Sequence, residues 1–128
     1  MVNISTQNVL AERNTFLKGH GVSIGSETSG WIRNVTVRDS RLDGTNLAVR
    51  IKTARGRGGG VEDVLYSNMS GKVESGIQLT LNYHKVDKTN DTATPEMRRI
   101  TIRDLHLQAK SYLQCDGLDD SEVRTNRC

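Results

Sequence analysis

The sequence is poor in most of the features that mark a protein class. No stretch of its 128 residues approaches the roughly 20 consecutive apolar residues of a membrane span, so no membrane partner is expected. Aromatic residues make up only 4% and hydrophobic residues 34%, which leaves a core to be built mainly from Val, Ile and Leu. A single proline, together with regular apolar spacing, argues against disorder, where proline and polar residues are enriched. An excess of one charge is missing as well. Eighteen Lys and Arg against 15 Asp and Glu leave a net charge of +3, too mild to imply nucleic acid, which calls for a clustered basic face.

Only two cysteines occur, Cys115 and Cys128. They are too few for a disulfide framework or a four-ligand zinc site. They could bridge, stay reduced, or pair outside the chain. The start, Met1-Val2-Asn3-Ile4-Ser5, lacks the basic and then apolar pattern of a signal peptide. Asn3, Asn34, Asn68 and Asn90 open glycosylation sequons that matter only along a secretory route.

What the sequence does contain is a repeat. Gln7-Asn8-Val9-Leu10, Arg33-Asn34-Val35-Thr36-Val37, Glu62-Asp63-Val64-Leu65-Tyr66 and Arg98-Arg99-Ile100-Thr101-Ile102 begin alike, at spacings of 26, 29 and 36. A second short strand follows each, with Val22, Val49, Ile77 and Tyr112 falling 13 to 15 residues after the anchors 8, 34, 63 and 99. Apolar and polar residues alternate within these segments, the period of a half-buried strand. Helical periodicity is weak, and Gly-rich or polar stretches (56–60, 89–94, 116–117) punctuate the strands.

Repeats of this length, built from strands, predict an all-β fold: a right-handed parallel β-helix of about four coils. Leucine-rich repeats fit worse, because the leucine lattice and its helical return are missing. Asn8, Asn34 and Asp63 share one recurring position suited to a turn, and Arg99 breaks the series. The 36-residue spacing places an inserted loop over Tyr83–Met97. Glu122-Val123-Arg124 reads as the opening of another strand. With no caps in sight, residues 1–128 read as part of a longer solenoid, truncated at both ends, whose uncapped ends could self-associate.

Three segments carry chemical content. His20 lies between Gly19 and Gly21 just before a strand, where small neighbours let a ligand approach backbone and imidazole; taken by itself, the residue fits better an ordinary turn whose histidine bonds a neighbouring coil. In Val49-Arg50-Ile51-Lys52-Thr53, strand alternation projects Arg50 and Lys52 from one face and turns Val49 and Ile51 inward. With Arg55 and Arg57 near, this is either a pocket for an anion or a solvated strand face. Stacking of coils would bring His20 to the same side. Gln78, Thr80 and Asn82 alternate towards Tyr83-His84, where a tyrosine could contact a sugar or merely anchor a loop.

Taken together, these motifs resemble glycoside hydrolase family 28, the polygalacturonases and their pectin-degrading relatives. Gly19-His20-Gly21 is similar to the family's Gly-His-Gly segment and Arg50-Ile51-Lys52 to its Arg-Ile-Lys triplet. Ser26-Glu27-Thr28-Ser29-Gly30 is similar to a form common in bacterial and exo-acting members, and Asn82-Tyr83 falls where the family keeps an active-site tyrosine. The resemblance runs over about residues 6 to 124. It implies a pectin-lyase-like β-helix domain, here partial, that hydrolyses α-1,4 galacturonide links in pectin or polygalacturonate with inversion. It further implies that His20 tunes a catalytic carboxylate, that Arg50 and Lys52 clamp a galacturonate carboxylate, and that Tyr83 supports the same sugar.

No cofactor or metal is expected, and the want of a calcium-type carboxylate cluster weakens a pectate-lyase reading. The family's catalytic Asn-Thr-Asp and Asp-Asp elements lie upstream of Gly-His-Gly. Neither appears among the 19 residues before His20. Asp119-Asp120, about 100 residues further on, reads as a solvated turn rather than a substitute, and nothing else gives Glu27 a catalytic role. The chain by itself is therefore expected to be inactive, with a parent enzyme that is secreted or periplasmic. The other readings are a non-catalytic module that binds acidic polysaccharide and a purely structural fragment.

Overall fold

The computed structural model describes residues 3–83 and 93–118. Among them are seven strands and no helix: β1 (Thr6–Glu12), β2 (Thr15–Phe16), β3 (Val22–Ile24), β4 (Ile32–Lys52), β5 (Gly60–Thr80), β6 (Glu96–Gln108) and β7 (Ser111–Asp116). Every pairing is parallel. β4 receives β1, β2 and β3 along one edge and β5 along the other, while β5 goes on to pair with β6 and β7. The described residues thus form four stacked coils of a parallel β-helix, as the repeat predicts.

β4 and β5 each run for 21 residues. Straight strands of that length would extend about 70 Å, so they must bend within the ladder. The bends fall at residues with positive φ. Asn8, Asn34, Asp63 and Arg99 (φ 61°, 53°, 56° and 53°) stack at one corner; Arg13, Asp39, Asn68 and Asp104 (φ 54°, 52°, 49° and 54°) stack at a second, five residues on. Asn and Asp tolerate this region better than other non-glycine residues because their short polar chains bond locally.

The corners are also tied from coil to coil: Asn34 Nδ2 donates to Asn8 Oδ1 at 2.7 Å, and Asn68 Nδ2 to Asp39 Oδ1 at 2.7 Å. Arg99 changes the residue type but not the geometry. It keeps the left-handed φ and grips Asp63 with Nε at 2.5 Å and Nη2 at 3.0 Å.

Two expectations of spacing need correction. Leu113, not Tyr112, is level with Val22, Val49 and Ile77. The step from the third to the fourth coil is a uniform 36 residues through β6 and β7, which puts Tyr112 opposite Gly76. The irregularity lies one coil earlier, where the register shifts between Asp43 and Thr45 around Gly44, whose φ is 77°. The inserted loop also ends sooner than expected, because β6 begins at Glu96. Residues 84–92 of that loop, and the strand expected at 122–124, lie outside the described residues.

Inside, Val35, Val37, Leu42, Val49, Ile51, Val61, Val64 and Met69 form a continuous buried column. Tyr66 is fully buried among them, and its hydroxyl donates across the interior to the Val22 carbonyl at 3.3 Å. Burial pushes its phenol pKa up, which keeps it a donor. Two buried hydroxyls join the loops. Thr28 Oγ1 donates to Gly58 O at 3.0 Å, so its one proton is used and Thr53 donates to it at 2.7 Å.

On the outer face of the first strand segments, Arg33, Glu62 and Arg98 stand in register. Glu62, only 5% exposed, accepts from Arg33 Nε at 2.5 Å, Arg98 Nε at 2.6 Å and Arg99 Nη2 at 2.7 Å. The guanidinium carbons of Arg33 and Arg98 lie 4.7 and 4.9 Å from the Trp31 ring centroid, so the cations are held by the ring as well as by the carboxylate.

Two stability predictions follow from these corners and charges. Asn34→Val, which forces a β-branched residue into φ 53°, should cost about 2 kcal/mol. Asn34→Gly loses the same side-chain bond without that strain and should cost less than about 1 kcal/mol, both read from urea unfolding. The hydrogen bonds from Arg33 and then Arg98 hold the Glu62 carboxyl below its ordinary value of 4.5. Its stabilisation is therefore full above that value and is lost as pH falls through the lowered native one. Thermal midpoints measured from pH 6 down to 2 should drop less steeply in Glu62→Gln than in the wild type.

Candidate active site

The third strand segments of the coils, residues 22–24, 49–52, 77–80 and 113–116, lie side by side and form the face that carries the candidate residues. Val49 and Ile51 are fully buried, while Arg50 and Lys52 are part-exposed on the outer side. Alternation therefore puts two cations on one outward row. Arg50 Cζ is 5.2 Å and Lys52 Nζ 4.4 Å from the centroid of the Tyr83 ring. Tyr83 is held from below by its own backbone, whose N–H donates to Thr53 O at 3.0 Å. The structure thus brings together Arg50, Lys52 and Tyr83, three residues singled out from the sequence.

The two cations face an aromatic ring, and among the described residues no carboxylate pairs with either. Among the described residues Arg50 spends only its Nε, which donates to Gln78 Oε1 at 2.9 Å. The guanidinium terminus and the Lys52 ammonium are thus left as donors for an anion. Arg57 is not part of this group. Its Nη1 is engaged by Glu27 Oε2 at 2.8 Å, and Arg55 also has a partner. Of the four cations grouped from the sequence, Arg50 and Lys52 are the two that stand over the Tyr83 ring.

Glu27 is occupied on both oxygens. Oε1 accepts from the Ser29 hydroxyl at 2.6 Å and the Ser29 N–H at 3.0 Å, and Oε2 from Arg57. The Ser29 hydroxyl first, then its N–H, and Arg57 besides, hold the carboxyl below its usual range. A carboxylate held ionised in this way braces its loop and is poorly suited to donate a proton. Thr80, in register with Lys52, shares the row with Gln78 but is buried there, with its Oγ1 accepting the Asn82 N–H at 3.1 Å. His84 and Asp119-Asp120 lie outside the described residues.

His20 sits at the start of this face on the first coil, in the exposed turn leading into β3. Its Nδ1 is 3.4 Å from Asn46 Nδ2, one coil on, and its carbonyl accepts from the Ser23 hydroxyl at 3.3 Å. Ser23 is in register with Arg50, so His20 precedes the level of Arg50 by three residues along the chain. Among the described residues no direct contact joins His20 to Arg50, Lys52 or Tyr83.

Gly21 explains why the turn takes the form it does. With φ 64°, its backbone passes so close to the next coil that a Cβ would run into the Leu47 carbonyl oxygen. Gly19 has no such neighbour. Sequence reasoning missed Asn46, and it named Gln78 without its tie to Arg50, although each stands one coil period beyond the residue it touches.

The description "Glycosyl hydrolases family 28" matches residues 1–121. The chain belongs to this family. Among family members, an endo-polygalacturonase of Pectobacterium parmentieri is 37% identical over 113 residues, which cover 88% of this chain and 27% of that protein. Endopolygalacturonase II of Aspergillus niger is 33% identical over 110 residues, 82% of this chain and 29% of that protein. A polygalacturonase of Ralstonia nicotianae is 41% identical over 69 residues, 51% of this chain and 13% of that protein. The chain spans little more than a quarter of the first two relatives. No solved structure matches.

Gly21→Ala adds a methyl where the next coil's carbonyl stands, at a φ that disfavours alanine. The expected cost is roughly 2 kcal/mol or more, measurable as a lowered thermal midpoint. Gly19→Ala, facing open space, should cost clearly less, since it meets only the backbone penalty.

Proposed function

We propose that this chain is the substrate-gripping part of a polygalacturonase-type hydrolase acting on α-1,4-galacturonide links of pectin. The observation that carries the reading is the pair of cations, Arg50 and Lys52, packed on one tyrosine ring with their terminal donors unspent among the described residues. A hexuronate offers the complement: a planar carboxylate for the guanidinium fork and the ammonium, and an apolar sugar face for an aromatic ring. Arg50 and Lys52 then hold the carboxylate of the galacturonate beside the scissile bond, and Tyr83 supports that sugar. His20 tunes a catalytic carboxylate from the upstream side.

Inverting hydrolysis needs an acid to protonate the leaving oxygen and a base to activate water, with the two roughly 6.5–9.5 Å apart. Glu27 is committed to Ser29 and Arg57, and Asp116 accepts from Gln114. Neither stands as half of such a pair beside the cations. The chain on its own is accordingly proposed to bind acidic polysaccharide without cutting it, the catalytic carboxylates belonging to a further part of the parent enzyme, whose polymer substrate places it outside the cytoplasm.

Affinity electrophoresis in polygalacturonate gels tests the reading. The purified chain should be retarded relative to a gel with a neutral polymer, and retardation should fade at high salt. Arg50→Ala and Lys52→Ala should each weaken binding about tenfold, the typical worth of a charge-assisted hydrogen bond. Equal mobility of wild type and both variants would overturn the gripping role. Release of reducing ends by the wild-type chain, abolished by Lys52→Ala, would overturn its proposed inactivity.

A further inference from the structure

Arg50, Gln78 and Gln114 stand in register on three successive coils, and their side chains are joined in a single line. Arg50 Nε donates to Gln78 Oε1 at 2.9 Å, Gln78 Nε2 to Gln114 Oε1 at 3.1 Å, and Gln114 Nε2 to Asp116 Oδ2 at 3.0 Å. The two ends of this line fix its direction. An ionised carboxylate only accepts, so Gln114 must turn its NH2 to Asp116 and its oxygen to Gln78. A guanidinium only donates, so Gln78 must turn its oxygen to Arg50. Either amide flipped the other way would set donor against donor at one contact and acceptor against acceptor at another.

We infer that Gln78 is a positioning residue for Arg50, oriented in turn by Gln114 and Asp116. The inference rests on the reading that Arg50 grips a carboxylate. With Nε committed to Gln78 and the guanidinium carbon over Tyr83, the side chain has little freedom to swing. What it presents is the Nη1–Nη2 edge, the end-on fork that meets both oxygens of one carboxylate. Without Gln78, Arg50 keeps its charge but must be ordered at the moment of binding. That is the cost usually attached to immobilising one long side chain. Chain distance hides the arrangement. Gln78 is 28 residues from Arg50 and Gln114 a further 36, and only the coil register makes them neighbours.

The test uses Gln78→Met, which keeps the length and drops the acceptor, and Gln78→Ala. Both should bind polygalacturonate about three- to tenfold more weakly than wild type, with unchanged circular dichroism. In an Arg50→Ala background neither should have any further effect. Binding by Gln78→Met equal to wild type would overturn the inference, as would full additivity with Arg50→Ala. A second measurement does not depend on sugar: the Arg50 Nε–H signal in 15N NMR should exchange slowly with water in the wild type and quickly in Gln78→Met. Fast exchange in the wild type would overturn the inference by itself. If Arg50→Ala and Lys52→Ala bind as wild type does, the gripping role fails; if they weaken binding and Gln78→Met does not, only the positioning role fails.

Discussion

The parallel hydrogen-bond ladder between coils is the constraint on which the rest of this structure depends. It forces residues 26 to 36 apart in sequence into rows about 4.8 Å apart, and it makes each outward side chain a neighbour of its counterpart above and below. The candidate site is a product of those rows. His20 meets Asn46 across one step and Arg50 meets Gln78 across the next. β4 alone would offer two cations on an ordinary polar surface; stacking sets Gln78 and the Tyr83 ring beside them.

How much of this was legible in the sequence depends on the distance over which each feature acts. Alternation is local, so the outward pair Arg50 and Lys52 over buried Val49 and Ile51 could be read directly. The repeat anchors at 8, 34, 63 and 99 were visible because three of them are Asn or Asp, the types that stand the left-handed bend best. The second corner, Arg13, Asp39, Asn68 and Asp104, was regular enough to find, each two residues after an apolar position of the core, Ala11, Val37, Tyr66 and Ile102. The bulge at Gly44 was harder still. It adds one residue to one coil, and the apolar character of Tyr112 drew the fourth-coil alignment a residue off. Contacts such as Gln78 to Arg50 cannot be seen until that register is known.

Charge is distributed with a clear division of labour. Glu27 is consumed by Ser29 and Arg57 and Glu62 by three arginines, while Arg50 and Lys52 carry no carboxylate partner among the described residues. Ion pairs of the first kind stiffen loops and corners. Cations of the second kind, set against an aromatic ring that tolerates them without neutralising them, remain open to an external anion. The same residue types thus brace the fold on one wall and stay receptive on another.

The sequence of signs in the Arg33–Glu62–Arg98 row has a consequence for how the coils find their order during folding. Each coil offers a similar strand edge, so a chain could in principle skip a turn and pair β4 directly with β6. That mistake would set Arg33 against Arg98 with no carboxylate between them and would leave Trp31 clasped by two repelling groups. Correct threading puts the Glu62 carboxylate between them.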